Sequence, residues 1–226
     1  MEIWEIGEFG FIELIKKRFK PLSGGRQSLI LGIGDDAAAF KTSKGKATLV
    51  TTDMLLQDIH FDLRYTNGYH LGRKSLSANL SDIAAMGGIP MYAFLSLGIP
   101  RNFPLKFFYE FFKGMRSLAN LHRVSLVGGD TSASKGGLVI NITLTGEIDA
   151  RHLLSRKGAK DGDKIFVTGT LGDSALGMRI LKSSFRAKGA KTLRELSLRH
   201  LDPEARLCQG QRIAKRKLAT SAIDIS

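Results

Sequence analysis

Cysteine is almost missing from this 226-residue chain, where Cys208 stands alone. A single thiol excludes an internal disulfide and any cysteine-built metal site. Long apolar runs are missing as well, and none approaches the roughly 18 residues that a membrane span requires. The opening Met1-Glu2-Ile3-Trp4-Glu5 has neither the basic start nor the apolar core of a secretory signal. A cytoplasmic protein with no membrane partner is therefore expected. There is no P-loop, no Gly-x-Gly-x-x-Gly dinucleotide fingerprint and no protein-kinase set of Gly-rich loop, His-Arg-Asp and Asp-Phe-Gly. Any phosphate chemistry has to be built from other parts.

Positive charge is abundant. Lys and Arg number 34 against 21 Asp and Glu, giving a formal charge of +13 and a pI near 10.0. The excess is uneven: basic residues dominate from Arg151 to Lys217, ending in the cluster Lys215-Arg216-Lys217. A solvated basic helix face accounts for this most simply. A field that draws in an anionic substrate comes second, and nucleic-acid binding last, as an unlikely partner class. The acids, in contrast, gather between Ile30 and Asp130 in Gly-rich or apolar settings: Asp35, Asp36, Asp53, Asp58, Asp62, Asp82 and Asp130.

The apolar pattern predicts mixed helix and strand. Helices are expected within Met1–Phe19, over Tyr69–Met86 with Leu76, Leu80, Ile83 and Ala84 inward, and after Pro104, where Phe108, Phe111, Phe112, Met115 and Leu118 form an apolar stripe. Further helices are expected over Gly172–Leu181 and Pro203–Lys217. Strands are expected at Leu29–Ile33, Thr48–Leu55, Tyr92–Leu97, Val124–Val127, Leu138–Ile148 and Lys164–Thr168. A basic, Gly-punctuated connection after Ile148 places a domain boundary near residue 150, with domains 1–150 and 151–226; the second is short for a core of its own.

Four motifs share one layout, in which an apolar element delivers an Asp where Gly or small residues follow. They are Gly32-Ile33-Gly34-Asp35-Asp36-Ala37, Thr51-Thr52-Asp53, Asn79-Leu80-Ser81-Asp82-Ile83-Ala84-Ala85-Met86-Gly87 and Gly128-Gly129-Asp130-Thr131. A strand-end Asp is most often a turn or a cap. Asp82 is different, because it sits within an apolar helix, where an unpaired carboxylate is costly. Asn79 lies one turn before it on the same face. Several carboxylates brought together repel one another unless cations hold them. Oxygen ligands without His or Cys clusters select Mg2+ over zinc, and Gly128-Gly129 lets backbone amides approach a phosphate. A metal-assisted phosphoryl transfer follows.

As a set, these motifs and Gly7-Glu8-Phe9, Asp58-Ile59-His60-Phe61, Val167-Thr168-Gly169-Thr170-Leu171-Gly172-Asp173-Ser174 and the closing Ala222-Ile223-Asp224-Ile225-Ser226 resemble the thiamine-monophosphate kinase family. That family belongs to the superfamily of aminoimidazole ribonucleotide synthetase and selenophosphate synthetase. The latter would call for a reactive Cys near the start, which this chain lacks. The resemblance runs through essentially the whole chain in the same order. It implies direct, in-line transfer of the γ-phosphoryl group of ATP to thiamine monophosphate, giving thiamine diphosphate, with several Mg2+ ions and no protein nucleophile.

By the same resemblance, Asp36, Thr51, Thr52, Asp53, Asp82, Asp130 and Asp224 would form the metal cluster. Gly129, Asp130, Arg156 and Ser226 would touch ATP, and His60 would touch the substrate; Asp35 would orient its loop. On its residues alone His60 reads more simply as structural. The implied fold is α/β (α+β): an N-terminal mixed sheet with helices on one face, forming a barrel across a homodimer, then a partial α+β C-terminal domain. The expected chain continues past Ser226, so the sequence reads as C-terminally truncated. The alternative function is a non-catalytic dimeric remnant that at most binds nucleotide.

Overall fold

The computed structural model describes residues 10, 13, 29–31, 33, 35–183 and 191–225; apart from Gly10 and Glu13, which are helical, the helix expected within Met1–Phe19 lies outside the described residues, as does the terminal Ser226. Six strands form one sheet: β1 (Leu29–Leu31), β2 (Ala38–Ser43), β3 (Lys46–Leu56), β4 (Ile89–Pro100), β5 (Ser125–Ser134) and β6 (Val139–Asp149). Their order is β1-β2-β3-β6-β4-β5. β6 holds the middle, antiparallel to both β3 and β4. Its strict alternation explains this place, since Ile140, Ile142 and Leu144 are fully buried on one face while the residues between them are half-buried. Among the six described strands only β4 and β5 pair in parallel, and a parallel strand pair needs a crossover. Helix α2 (Leu105–His122) supplies it.

Helix α1 (Gly68–Ala85) lies against β3, β6 and β4, and α2 packs on α1. Both cover the same sheet face. Asn67 caps α1 by accepting the His70 N–H at 2.9 Å, and Gly87, at φ 76°, ends it. The α2 stripe is buried at Phe108, Phe111, Met115 and Leu118, whereas Phe112 is 42% exposed and the expectation of five core positions falls to four. Pro104 stands just before the helix as its N-cap rather than at its first position.

Two expectations after Val124 need correction. The short strand expected at Val124–Val127 continues as β5 to Ser134, so Gly128-Gly129-Asp130-Thr131 is strand, not loop. The reason is its partner: β4 runs on to Pro100 and offers a full row of ladder bonds, pairing Leu95 with Gly129 and Ser96 with Asp130. Conversely, Lys164–Thr168 forms no strand; Ile165 is 99% exposed and Phe166 86%. No strand among the described residues runs beside it, and an apolar run without a ladder partner cannot stay a strand. Among the described residues beyond Asp149 come a short 3-10 turn (Ala150–His152) and three helices, α3 (Asp173–Lys182), α4 (Lys191–Leu201) and α5 (Leu207–Arg216). α5 closes on the end of α1, where Leu207 and Ala214 join the main core.

Candidate metal and phosphate site

The site begins with the pleat of β3. Alternation sends Thr51 and Asp53 to the helix-covered face, where Thr51 is 5% exposed, and Thr52 to the other. The Thr51 hydroxyl donates to the Asp82 carboxylate, carried by α1 above it. Asp53 lies close enough to Asp82 for the two carboxyls to interact. The turn before β2 brings Asp36 to the same spot, and the segment after α5 brings Asp224. Carboxylate oxygens of Asp36, Asp82 and Asp224 all lie within 4.8 Å of one another.

Electrostatics follow from that crowding. Burial pushes the Asp82 carboxyl up to about 8, against the Thr51 hydrogen bond, and the charges of Asp53, Asp224 and Asp36 add to the rise. Asp53 is raised by burial and then by Asp224. Asp36 is raised by burial in spite of Arg156, whose guanidinium Nε donates to Asp36 Oδ1 at 3.0 Å, with a second bond from its terminal nitrogen. The other oxygen, Asp36 Oδ2, is buried with no hydrogen-bond partner. A buried carboxylate oxygen left open beside two more carboxylates is a cradle for a hard cation. The residues present therefore fit Mg2+.

Asp35 ties this corner together. Its Oδ1 accepts the backbone N–H of Arg156 at 3.1 Å and that of Asp36 at 3.3 Å. The side chain of Thr52 points away from the cluster and accepts from Asn141 and Thr143 across the strand pair, at 3.2 and 3.1 Å. Gly129 and Asp130 sit on the exposed edge strand β5, and Asp130 stands outside the three-carboxylate group. A Cβ at Gly129, where φ is 152°, would meet the Leu95 carbonyl oxygen at 1.8 Å, so no side chain fits there.

His60 lies in the turn that follows β3. Asp58, at φ 65°, folds the chain back after β3, and His60 Nδ1 accepts the Leu56 N–H at 3.0 Å. That leaves Nε2 as the ring atom open to a ligand. His60 lines a cavity of about 200 Å3 shared with Arg64, Tyr65, Met178, Lys182 and His200. Sequence reasoning passed over Lys74 here. Its ammonium donates to the His60 carbonyl at 3.0 Å, and burial lowers its pKa to about 8. The available signal was the pair Arg73-Lys74 on the stretch of α1 that leads to Asp82.

Residues 34–148 match the family model for AIR synthase related protein, N-terminal domain. The chain is 36% identical over 228 residues to the thiamine-monophosphate kinase of Aquifex aeolicus, an alignment covering all of this chain and 68% of that protein. It is 39% identical to that of Escherichia coli K12, covering 97% of this chain and 65% of the relative. Among solved structures, AaThiL complexed with AMPPCP and TMP superposes with a TM-score of 0.86 at 35% identity, over 100% of this chain and 68% of that one. Against three further thiamine-monophosphate kinases, from Bacillus subtilis and two Buchnera strains, the chain spans 57%, 66% and 64% of their length.

Proposed function

The chain belongs to the thiamine-monophosphate kinase family, and from that premise we propose that it transfers the γ-phosphoryl group of ATP to thiamine monophosphate with Mg2+. The observation that carries this reading is the meeting of Asp36, Asp82 and Asp224 within 4.8 Å, with Asp53 close to Asp82. The AaThiL complex with AMPPCP and TMP supports ATP and thiamine monophosphate as the reactants. The direct in-line transfer that this family resemblance implies needs positioning and charge screening rather than a protein nucleophile.

In this reading Asp36, Asp53, Asp82 and Asp224 hold the metal, with Asp130 and the backbone of Thr51 and Thr52 as further candidates. Bound there, Mg2+ screens the repulsion between two anionic reactants and helps align them. Thr51 fixes the Asp82 carboxylate by its hydrogen bond. Arg156 presents a planar fork to the nucleotide phosphates, Gly129 admits them close to the β5 backbone, and Ser226 adds a contact. His60 meets the substrate through Nε2. A cytoplasmic location belongs to the same proposal. The division into 1–150 and 151–226 also belongs to it, supported by the placing of all six strands before Ala150.

We propose further that two copies pair through the open face of the sheet as a barrel-like homodimer. Support comes from the large side chains on it: Met54 is 54% exposed, Tyr92 47% and Phe94 41%. The deciding assay mixes the purified 226-residue protein with Mg2+, ATP and thiamine monophosphate. Thiamine diphosphate and ADP in equal amounts are expected. Nucleotide binding without product would favour the remnant reading, for which the exposed Ile165 and Phe166 speak.

A further inference from the structure

Arg156 and Asp36 have separate roles in the proposed reaction, one toward phosphate and one toward a cation, yet here they bind each other. The Asp36 side chain is fully buried and that of Arg156 is 32% exposed. Both guanidinium bonds go to Oδ1, while Oδ2 has no partner. A carboxylate withdrawn from water requires a positive partner, and Arg156 provides it. The backbone of Arg156 is held on both sides. Its N–H donates to Asp35 Oδ1 at 3.1 Å, its carbonyl accepts the Ser221 hydroxyl at 2.8 Å, and Ser155 O accepts the Ala222 N–H at 3.1 Å. With the main chain fixed, the side-chain torsions are what remain free to carry the guanidinium from one anion to another. Arg156 also lies under the charge of Asp224, the third carboxylate of the group.

From this geometry we infer that Arg156 is an internal cation that competes with the metal for Asp36, and that its displacement by the metal frees the guanidinium for the nucleotide phosphate. Metal binding then prepares nucleotide binding by uncovering its cationic anchor. The inference rests on the metal and nucleotide roles proposed above, and it makes a prediction of opposite sign for the two ligands. A residue that merely held the fold would weaken both.

The test uses the 226-residue protein and Mn2+, with free ion followed by electron paramagnetic resonance and no nucleotide present. Arg156→Gln should bind Mn2+ about tenfold more tightly than the wild type, the scale of a lost charge-assisted hydrogen bond. At saturating Mn2+ the same variant should bind ADP about tenfold more weakly. Unchanged or weaker Mn2+ binding by a variant with wild-type melting overturns the inference while leaving the metal site standing. Failure of both proteins to bind Mn2+ overturns the metal reading itself and the inference with it. Should Arg156→Gln not fold, the wild type decides. The Arg156 Nε–H resonance, slow to exchange while bonded to Asp36, should exchange faster when Mg2+ is added; continued protection at saturating Mg2+ overturns the inference.

Discussion

At the scale of single residues, Asp82 controls how the site responds to pH. Burial raises its carboxyl to about 8 from an ordinary value near 3.8, so without metal the folded chain keeps a proton that the unfolded chain releases. The folded state therefore binds more protons between about pH 4 and pH 8, and stability falls as pH rises through that window. Asp82→Asn is neutral throughout. In EDTA its melting temperature should match the wild type below about pH 4 and exceed it increasingly towards pH 8; a difference that does not change with pH would sink the assignment. Mg2+ should oppose the trend, since it needs the ionised carboxylates. The sequence singled out Asp82 because a charge within an apolar helix stands out. It did not reveal the open oxygen of Asp36 or that Arg156 closes on the other one, because the two residues lie 120 positions apart and meet only after folding.

At the scale of elements, α1 and α2 touch backbone to backbone. A Cβ at Gly72 would lie 2.0 Å from the Phe111 carbonyl oxygen, and one at Gly114 would lie 1.9 Å from that of Tyr69. Gly72→Ala must push the helices apart and should destabilise the protein by about 1–3 kcal/mol, the usual range for overpacking. Urea denaturation with an unchanged slope and a lower midpoint is the expected record; a wild-type midpoint would refute the close packing. Both helices were legible from period, with both ends of α1 and the start of α2 within about one residue, the usual margin at helix termini. β5 and Lys164–Thr168 were misread for one shared reason: a strand exists only beside a partner, and local composition does not contain the partner. α4 was not anticipated from the sequence. Leu193, Leu196 and Leu201 recur at helical spacing, but among many basic residues they form a weak stripe.

At the scale of the whole molecule, charge and apolar surface lie in different places. Arg212, Lys215, Arg216 and Lys217 are exposed along and just beyond α5, near a helix C-terminus that favours cations, as a solvated basic face should be. The open side of the sheet instead presents Met54, Tyr92 and Phe94. Phe94→Glu should convert a dimer into a folded monomer in sedimentation velocity. A wild type that already sediments as a monomer at micromolar concentration would end the pairing proposal. By itself the sequence determined the main helices, most strands of the sheet, most of the buried stripe and the family, because periodicity and short motifs are local properties of the chain. Tertiary structure alone decided which Asp residues meet, that Thr52 faces away from them, and that the chain's own Arg156 occupies an oxygen of Asp36. Register and long-range packing set those distances, and neither is a property of any short stretch of sequence.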